Sequence, residues 1–499
     1  MQQQGCSVSG VGLFYEQQQG GSMSRELRAT QDLAPGDVLI TVPLASTIHY
    51  IDEQQQQQQQ QQAAGSPTSS NSSDSNSSSR LAALRRLQCS VPAASDSGRG
   101  AWQFKVALEI LYHYCQGPAS PLHAYIQTLP GVQQGIPKPQ IAMLYPQPQL
   151  QELQYNPLIG DAASQAYWWR QYSKEVLAAL PGSADDPFGG QLVTQEQLGW
   201  ALSLAMSRAF GFKRLGGWAL VPLVDMANHA LASNAEIRFG EDGVVRMMAN
   251  KQVSAGAPIL LKYGSHDNAN LLLSYGFVLA DNPADTFAWP LDMELLLAAI
   301  YQFVGGQLPP SGKAVDGLKT WQRTTLQHLG LLQANSSSSP SSSSSSSSEA
   351  AGSSTANGQQ HQPEAAAAAA PLVVRIGGEP PVSPELLAAV RVVLATERSS
   401  VKGKSLEQLG DWQQPLSAAH EALVMKALVG LLTVLYKSFP TSIQADRAQL
   451  QQPAAAAAGG DALAAERHAT AVQFRLGLKL LLERSTKDLI VRLKELLQQ

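Results

Sequence analysis

The chain is short of charge and of cysteine. Of its 499 residues only 15% are charged, and the net charge is −4. It carries no basic stripe of the kind that tracks a phosphate backbone, so no nucleic-acid partner is expected. Cys6, Cys89 and Cys115 are scattered and form no Cys-x-x-Cys pair. That argues against a disulfide framework and against a cysteine-built zinc cluster, and no metal site is expected. No stretch reads as long and apolar enough to span a bilayer, so no membrane partner is expected either. Met1 to Gly10 has neither the positive start nor the apolar core of a signal peptide.

What is there is a chain with 44% hydrophobic residues, enough for more than one core. Chemistry-bearing residues gather in two stretches. The first is Val221-Pro222-Leu223-Val224-Asp225-Met226-Ala227-Asn228-His229. An apolar run ends in an acid, an amide and an imidazole, which are costly to bury unless hydrogen-bonded. Taken alone, a strand leading into a polar turn fits it equally well. The second stretch runs Tyr263-Gly264-Ser265-His266-Asp267-Asn268-Ala269-Asn270, then a Leu-rich turn of helix, then Tyr275-Gly276-Phe277-Val278, and Asp281 to Asp285 closes it.

Together the two stretches resemble the carboxy-terminal half of a SET domain, in particular that of the Rubisco large-subunit methyltransferase branch. Its pattern there is Pro-x-x-Asp-x-x-Asn-His, then Tyr-Gly, then Tyr-Gly-Phe. Further pieces of the resemblance lie along the chain. Asp32 to Pro43 resembles the opening hairpin, with a Pro-Gly-Asp turn before a β-branched strand. Tyr125 to Pro130 resembles "Tyr-Ile-x-x-Leu-Pro". Ser207-Arg208 matches a Ser/Thr-Arg motif. Phe439 to Asp446 and Ala471 to Lys479 resemble segments of the helical domain that follows SET in this branch.

The resemblance implies an α+β fold. A β-rich SET core with pseudoknot-like threading would fill residues 1–290, split by a helical insert at about 100–212. An all-helical substrate-binding domain would fill 291–499. Gln/Ser and Ser/Ala insertions, at about 53–80 and 334–371, are expected to be disordered. The helices Pro384 to Leu394, opened by Ser383-Pro384 as cap and first turn, and Glu421 to Tyr436 are expected from periodicity.

The resemblance also implies S-adenosyl-L-methionine as cofactor and methyl transfer to a lysine of a non-histone protein, Rubisco large subunit and aldolase being substrates in the branch. One member methylates a histidine of actin, and a non-catalytic protein-binding module is a third reading. Tyr263 and Tyr275 take the catalytic positions. Arg28, Arg208, Asp225, Met226, Ala227, Asn228, His229 and Tyr275 take the cofactor positions. An exposed strand-end role for Arg28, a helix-end role for Arg208, and core roles for the tyrosines are the plain structural alternatives. A monomer is expected, cytoplasmic as the sequence stands, or chloroplast if the amino terminus is truncated.

Overall fold

Alternation of apolar and polar residues along Met23-Ser24-Arg25-Glu26-Leu27-Arg28-Ala29 makes a strand with two unlike faces. It belongs to the first group of strands, β1 (Ser7–Val8), β2 (Val11–Gln17), β3 (Met23–Ala29), β4 (Val38–Pro43) and β5 (Ile48–Ile51). A helical segment follows, with Ala101–Gln116, Asn156–Glu175 and Gln195–Arg208 as its longest members after Ser75–Ser90. The chain then returns to strands: β6 (Phe210–Phe212), β7 (Gly217–Leu220), β8 (Asn228–His229), β9 (Ala235–Phe239), β10 (Val244–Ala249) and β11 (Leu260–Leu261). The computed structural model describes residues 5–17, 23–51, 75–91, 101–134, 136, 138–212, 216–332, 372–451 and 462–498.

The described chain divides into two compact units, Met1–Asp285 with Ser442–Gly477, and Thr286–Thr441 with Leu478–Gln499. In the first unit the sheets are small: β1-β4-β10-β9, β5-β7-β6, the β2–β3 hairpin, and a parallel pair of β8 with β11. One apolar core gathers Leu27, Ile40, Val42, Val221, Val245, Met247 and Ile259 beneath the strands. A second gathers Leu108, Ile110, Leu111, Trp169, Leu198 and Leu204 within the helical insert. The turn expected before β4 is present, with Gly36 at φ 95° and the Asp37 carboxylate accepting from the Ala34 amide at 2.8 Å.

The second unit holds the antiparallel pair β12 (Phe287–Pro290) and β13 (Val373–Ile376) beside helices Met293–Phe303, Thr320–His328, Pro384–Leu394 and Ala418–Lys437. It is therefore not all-helical. A two-stranded pair was missed because β13 begins at the edge of the low-complexity run. Ser383 does sit at the first helix's cap position before Pro384, but its hydroxyl accepts from the Arg375 amide at 3.3 Å and makes no cap bond. The buried pair Arg391–Glu421 closes at 2.6 and 3.1 Å, so two charges are satisfied inside an otherwise apolar helix packing.

Three expectations need correction. The boundary falls after Asp285, but Ser442–Gly477 clusters with the first unit. The cause is long-range polar pairing: Arg475 Nε donates to Asp446 at 2.9 Å and its Nη1 to the Glu152 carbonyl at 2.8 Å. Arg467 likewise donates to Gln140 at 3.0 Å. The Gln/Ser insertion does not reach residue 80, because the helix Ser75–Ser90 has already begun and buries Ala83, Leu84 and Leu87. The rest of that insertion, and all of 334–371, lies outside the described residues. Finally, among the described residues one helix, Ala418–Lys437, is long and apolar enough to cross a membrane, against the expectation of none. Just over half of its apolar stretch, 56%, is buried inside the protein, Val424, Met425, Leu428 and Leu431 among its buried residues.

The loop carrying the two Tyr-Gly motifs is anchored by one amide. Asn268, 4% exposed, donates to the Leu279 carbonyl at 3.0 Å and to Asp285 at 2.9 Å, and accepts from the Leu279 amide at 2.8 Å. Asn268→Ala removes these bonds and strands the buried Asp285 carboxylate. We expect it to cost roughly 2–4 kcal/mol, read as a lower urea midpoint at unchanged slope.

Candidate active site

Pro222 lies in the turn just past β7, and Leu223 takes φ 66°, a strained conformation for a branched residue. The sharp turn lets the Asp225 amide bond back to Val221 at 3.1 Å and drops the carboxylate inward. Asp225 is 5% exposed. Arg208, at the end of the helix Gln195–Arg208, donates from Nη1 to the Asp225 carbonyl at 2.6 Å and lies 3.4 Å from its carboxylate. Burial raises the Asp225 carboxyl's pKa, against the pull of Arg208 and Arg25.

Three residues on, β8 pairs in parallel with β11, Asn228 opposite Leu260 and His229 opposite Leu261. This brings Tyr263 back over the turn. Its hydroxyl donates to the Ala227 carbonyl at 2.7 Å, and its amide donates to His229 Nδ1 at 3.1 Å. The second bond leaves Nδ1 without a proton, and burial lowers the His229 pKa, so the ring is neutral near pH 7. Burial likewise pushes the Tyr263 hydroxyl up to about 12. Tyr263 is thus a protonated donor, not a base.

The second Tyr-Gly motif ends a helix. Asp267 caps the helix Asn268–Ser274 by accepting from the Asn270 amide at 2.8 Å. Gly276, at φ 83°, closes it, its amide bonding the Leu271 carbonyl at 3.0 Å. That turn sets Tyr275 against Tyr263, with ring centroids 5.0 Å apart, and Phe277 6.0 Å from His229. The Asn228-His229 segment therefore passes close to Tyr275-Gly276-Phe277.

Arg208, Asp225, Met226, Asn228, His229, Tyr263 and Tyr275 line one cavity of about 450 Å³. Ala227 contributes the carbonyl that holds Tyr263. Arg28 is not among them. On β3 it lies on the face opposite Arg25, Leu27 and Ala29, and it pairs with Glu26 and Glu16 of the hairpin. The β3 arginine that does line the cavity, along with Arg208, is Arg25, with Met23 two residues before it and Phe277 also in the lining. The signal was available in the sequence: Leu27 and Ala29 define the inward face of β3, and alternation carries it to Arg25 and Met23. A larger cavity, about 890 Å³, is lined by His49, Arg80, Arg85, Glu109 and His113 and holds none of the expected site residues. Burial pushes the Glu109 carboxyl there up to about 7 and the His113 imidazole down to about 4.

The architecture is that of a SET domain joined to a helical domain. Over its whole length the chain superposes on the SET domain of LSMT solved with lysine and AdoHcy, with a TM-score of 0.60 at 17% identity, covering 91% of that chain. The structure of Rubisco LSMT bound to AdoMet matches equally, with a TM-score of 0.59 at 17% identity. Residues 317–482 match the family model described as Rubisco LSMT substrate-binding. The chain shares the fold of these LSMT structures. Among relatives, the actin-histidine N-methyltransferase of Mus musculus is 25% identical over 77% of this chain and 56% of its own length. That of Homo sapiens is 24% identical over 79% and 57%, and that of Danio rerio 24% over 67% and 48%. The chain thus spans about half the length of the relatives it matches.

Gly276 tests the closure of this site. A Cβ there would stand 2.7–2.8 Å from the Gln140 backbone, and the residue holds a positive φ. We expect Gly276→Ala to lose about 1–3 kcal/mol of stability, measured by denaturant unfolding, and to displace Tyr275 and Phe277 on either side.

Proposed function

We propose that this chain is an S-adenosylmethionine-dependent protein methyltransferase acting on a lysine of a non-histone protein. The observation that carries the reading is the convergence of Tyr263, Tyr275, Asn228 and Asp225 on one cavity with Arg208. Its volume suits a small cofactor. The donor set suits the cofactor too. Asn228 lies exposed at the cavity wall with both a donor and an acceptor, and Arg208 Nε is buried with no partner among the described residues. When bound, S-adenosylmethionine supplies a methyl group on a sulfonium.

The acceptor side is walled by Tyr263, Tyr275 and Phe277. Stripping water from an entering amine between these rings disfavours its charged form, and lysine must be neutral to react, its free pKa being about 10.4. The Tyr263 hydroxyl donates to Ala227 and keeps an oxygen lone pair with which to orient that amine. Bound there, the cofactor would supply the methyl carbon for a new N–C bond and keep its sulfur as a thioether, and the surplus proton of the product ammonium would pass to water. Support for lysine also comes from the LSMT structures, three of which hold lysine or methyllysine.

A second reading, transfer to histidine, is favoured by the relatives, which are actin-histidine N-methyltransferases. The pH dependence separates the two. His229 is held below its ordinary pKa and Tyr263 is pushed up to about 12, so neither titrates between pH 7 and 9. A lysine acceptor then makes kcat/KM climb about tenfold per pH unit across that window, because the neutral fraction does. A histidine acceptor, with a pKa of about 6.5, is already neutral and gives a flat profile. Labelled cofactor incubated with cell extract, followed by hydrolysis, identifies the residue directly. Methyllysine supports the proposal and methylhistidine replaces it. Failure to bind cofactor in a calorimeter would leave the protein-binding module.

Tyr263→Phe isolates the hydroxyl. It frees the Ala227 carbonyl, a loss of about 1 kcal/mol, while the ring keeps its stacking on Tyr275. We expect a folded protein that binds cofactor within a few-fold of wild type and turns over at least about tenfold more slowly. Unchanged turnover at full cofactor occupancy removes Tyr263 from the reacting centre.

A further inference from the structure

We infer that Arg25 acts with Arg208 as a two-guanidinium clamp for the carboxylate of the cofactor's amino-acid moiety. The inference rests on the proposed cofactor site and adds a residue to it that the motifs did not single out. Arg25 sits on the inward face of β3 and is 9% exposed. Its Nη1 is fixed by the Gln133 side chain at 2.7 Å and by the Thr128 carbonyl, so the guanidinium is held in place from one side. Its Nη2 is buried and has no partner among the described residues. Arg208 repeats the pattern: Nη1 is spent on Asp225, and Nε is buried without a partner. Both residues line the same cavity.

The charge count points the same way. Two guanidinium groups face one carboxylate, Asp225, in a largely buried cluster. Burial and the neighbouring Arg208 both disfavour the charge on Arg25. A bound anion with two oxygens would offset that excess charge and take both stranded donors, the fork-to-carboxylate match at which guanidinium excels. Within the cofactor only the amino-acid end carries such a group. The adenosine end needs no cation. Arg28 cannot substitute, because it faces the other side of the strand and is paired with Glu16 and Glu26.

The test uses two ligands on the full chain, by calorimetry. S-adenosylhomocysteine has the carboxylate, and methylthioadenosine keeps the adenosine and thioether without it. Arg25→Gln is expected to weaken S-adenosylhomocysteine about ten- to hundredfold. It should leave methylthioadenosine within about twofold. Arg25→Lys, read with the same pair if the glutamine variant melts early, is expected to show the same selective loss in smaller measure. Arg28→Gln should change neither ligand. Equal losses on both ligands, or no loss on either, overturn the inference while leaving the cofactor reading intact. A wild type that binds neither ligand overturns the cofactor reading and the clamp together.

Discussion

The site depends on one short parallel pairing. β8 and β11 are two residues each, yet they join segments 32 residues apart and fix the register of everything between. The pair is too small to be stable by itself, since even a two-stranded hairpin is marginal in water. What holds it is side-chain bonding at its ends. The Tyr263 hydroxyl closes one side on Ala227, the His229 ring accepts the Tyr263 amide, and Asn234 accepts from the Leu260 amide at 2.8 Å. The residues named for chemistry are therefore also the residues that hold the strands together. A change at Tyr263 or His229 acts on geometry and reactivity at once, and the two must be separated by measurement of the folded fraction.

The second constraint is electrostatic. Asp225 is buried, and burial alone would favour its neutral form. Arg208 and Arg25 oppose that, and the Asp225 backbone carbonyl also accepts from Arg208. Arg208 is in this way held at both atoms of one turn, so the helix Gln195–Arg208 and the turn after Pro222 cannot move independently. The strain at Leu223 makes sense in that frame: a relaxed φ there would turn the Asp225 carboxylate away from both guanidinium groups.

Much of this was legible in the sequence because the informative residues are close together in it. Asp225 to His229 and Tyr263 to Phe277 are local patterns, and their juxtaposition follows from the SET fold. Arg25 was harder. It lies three positions from Arg28, and on a strand three positions means opposite faces, so the choice between them requires the register and not the motif. The amide Asn268 was visible as a polar residue in a turn, but its partner Leu279 appears only once the loop closes. The return of Ser442–Gly477 to the first unit was hidden for a different reason. Asp446 and Arg475 each match a helical-domain pattern locally, and nothing within either segment says that Arg475 also reaches the Glu152 carbonyl.

The low charge of the chain has a structural counterpart. Arg25, Arg391, Arg467 and Arg475 are all buried. Burying a guanidinium is tolerated only when its donors are used, because the stranded charge costs several kcal/mol. Arg391 meets this with Glu421 and the carbonyls of Leu409 and Asp411, and Arg475 with Asp446, Gln449 and Glu152. Those arginines are structural, and their forks are filled from within the protein. Arg25 and Arg208 are held by similar bonds on one side, yet each keeps a buried donor aimed at nothing described. In a chain that places its few charges so economically, two incompletely used forks lining the same cavity are what the proposed carboxylate clamp would fill.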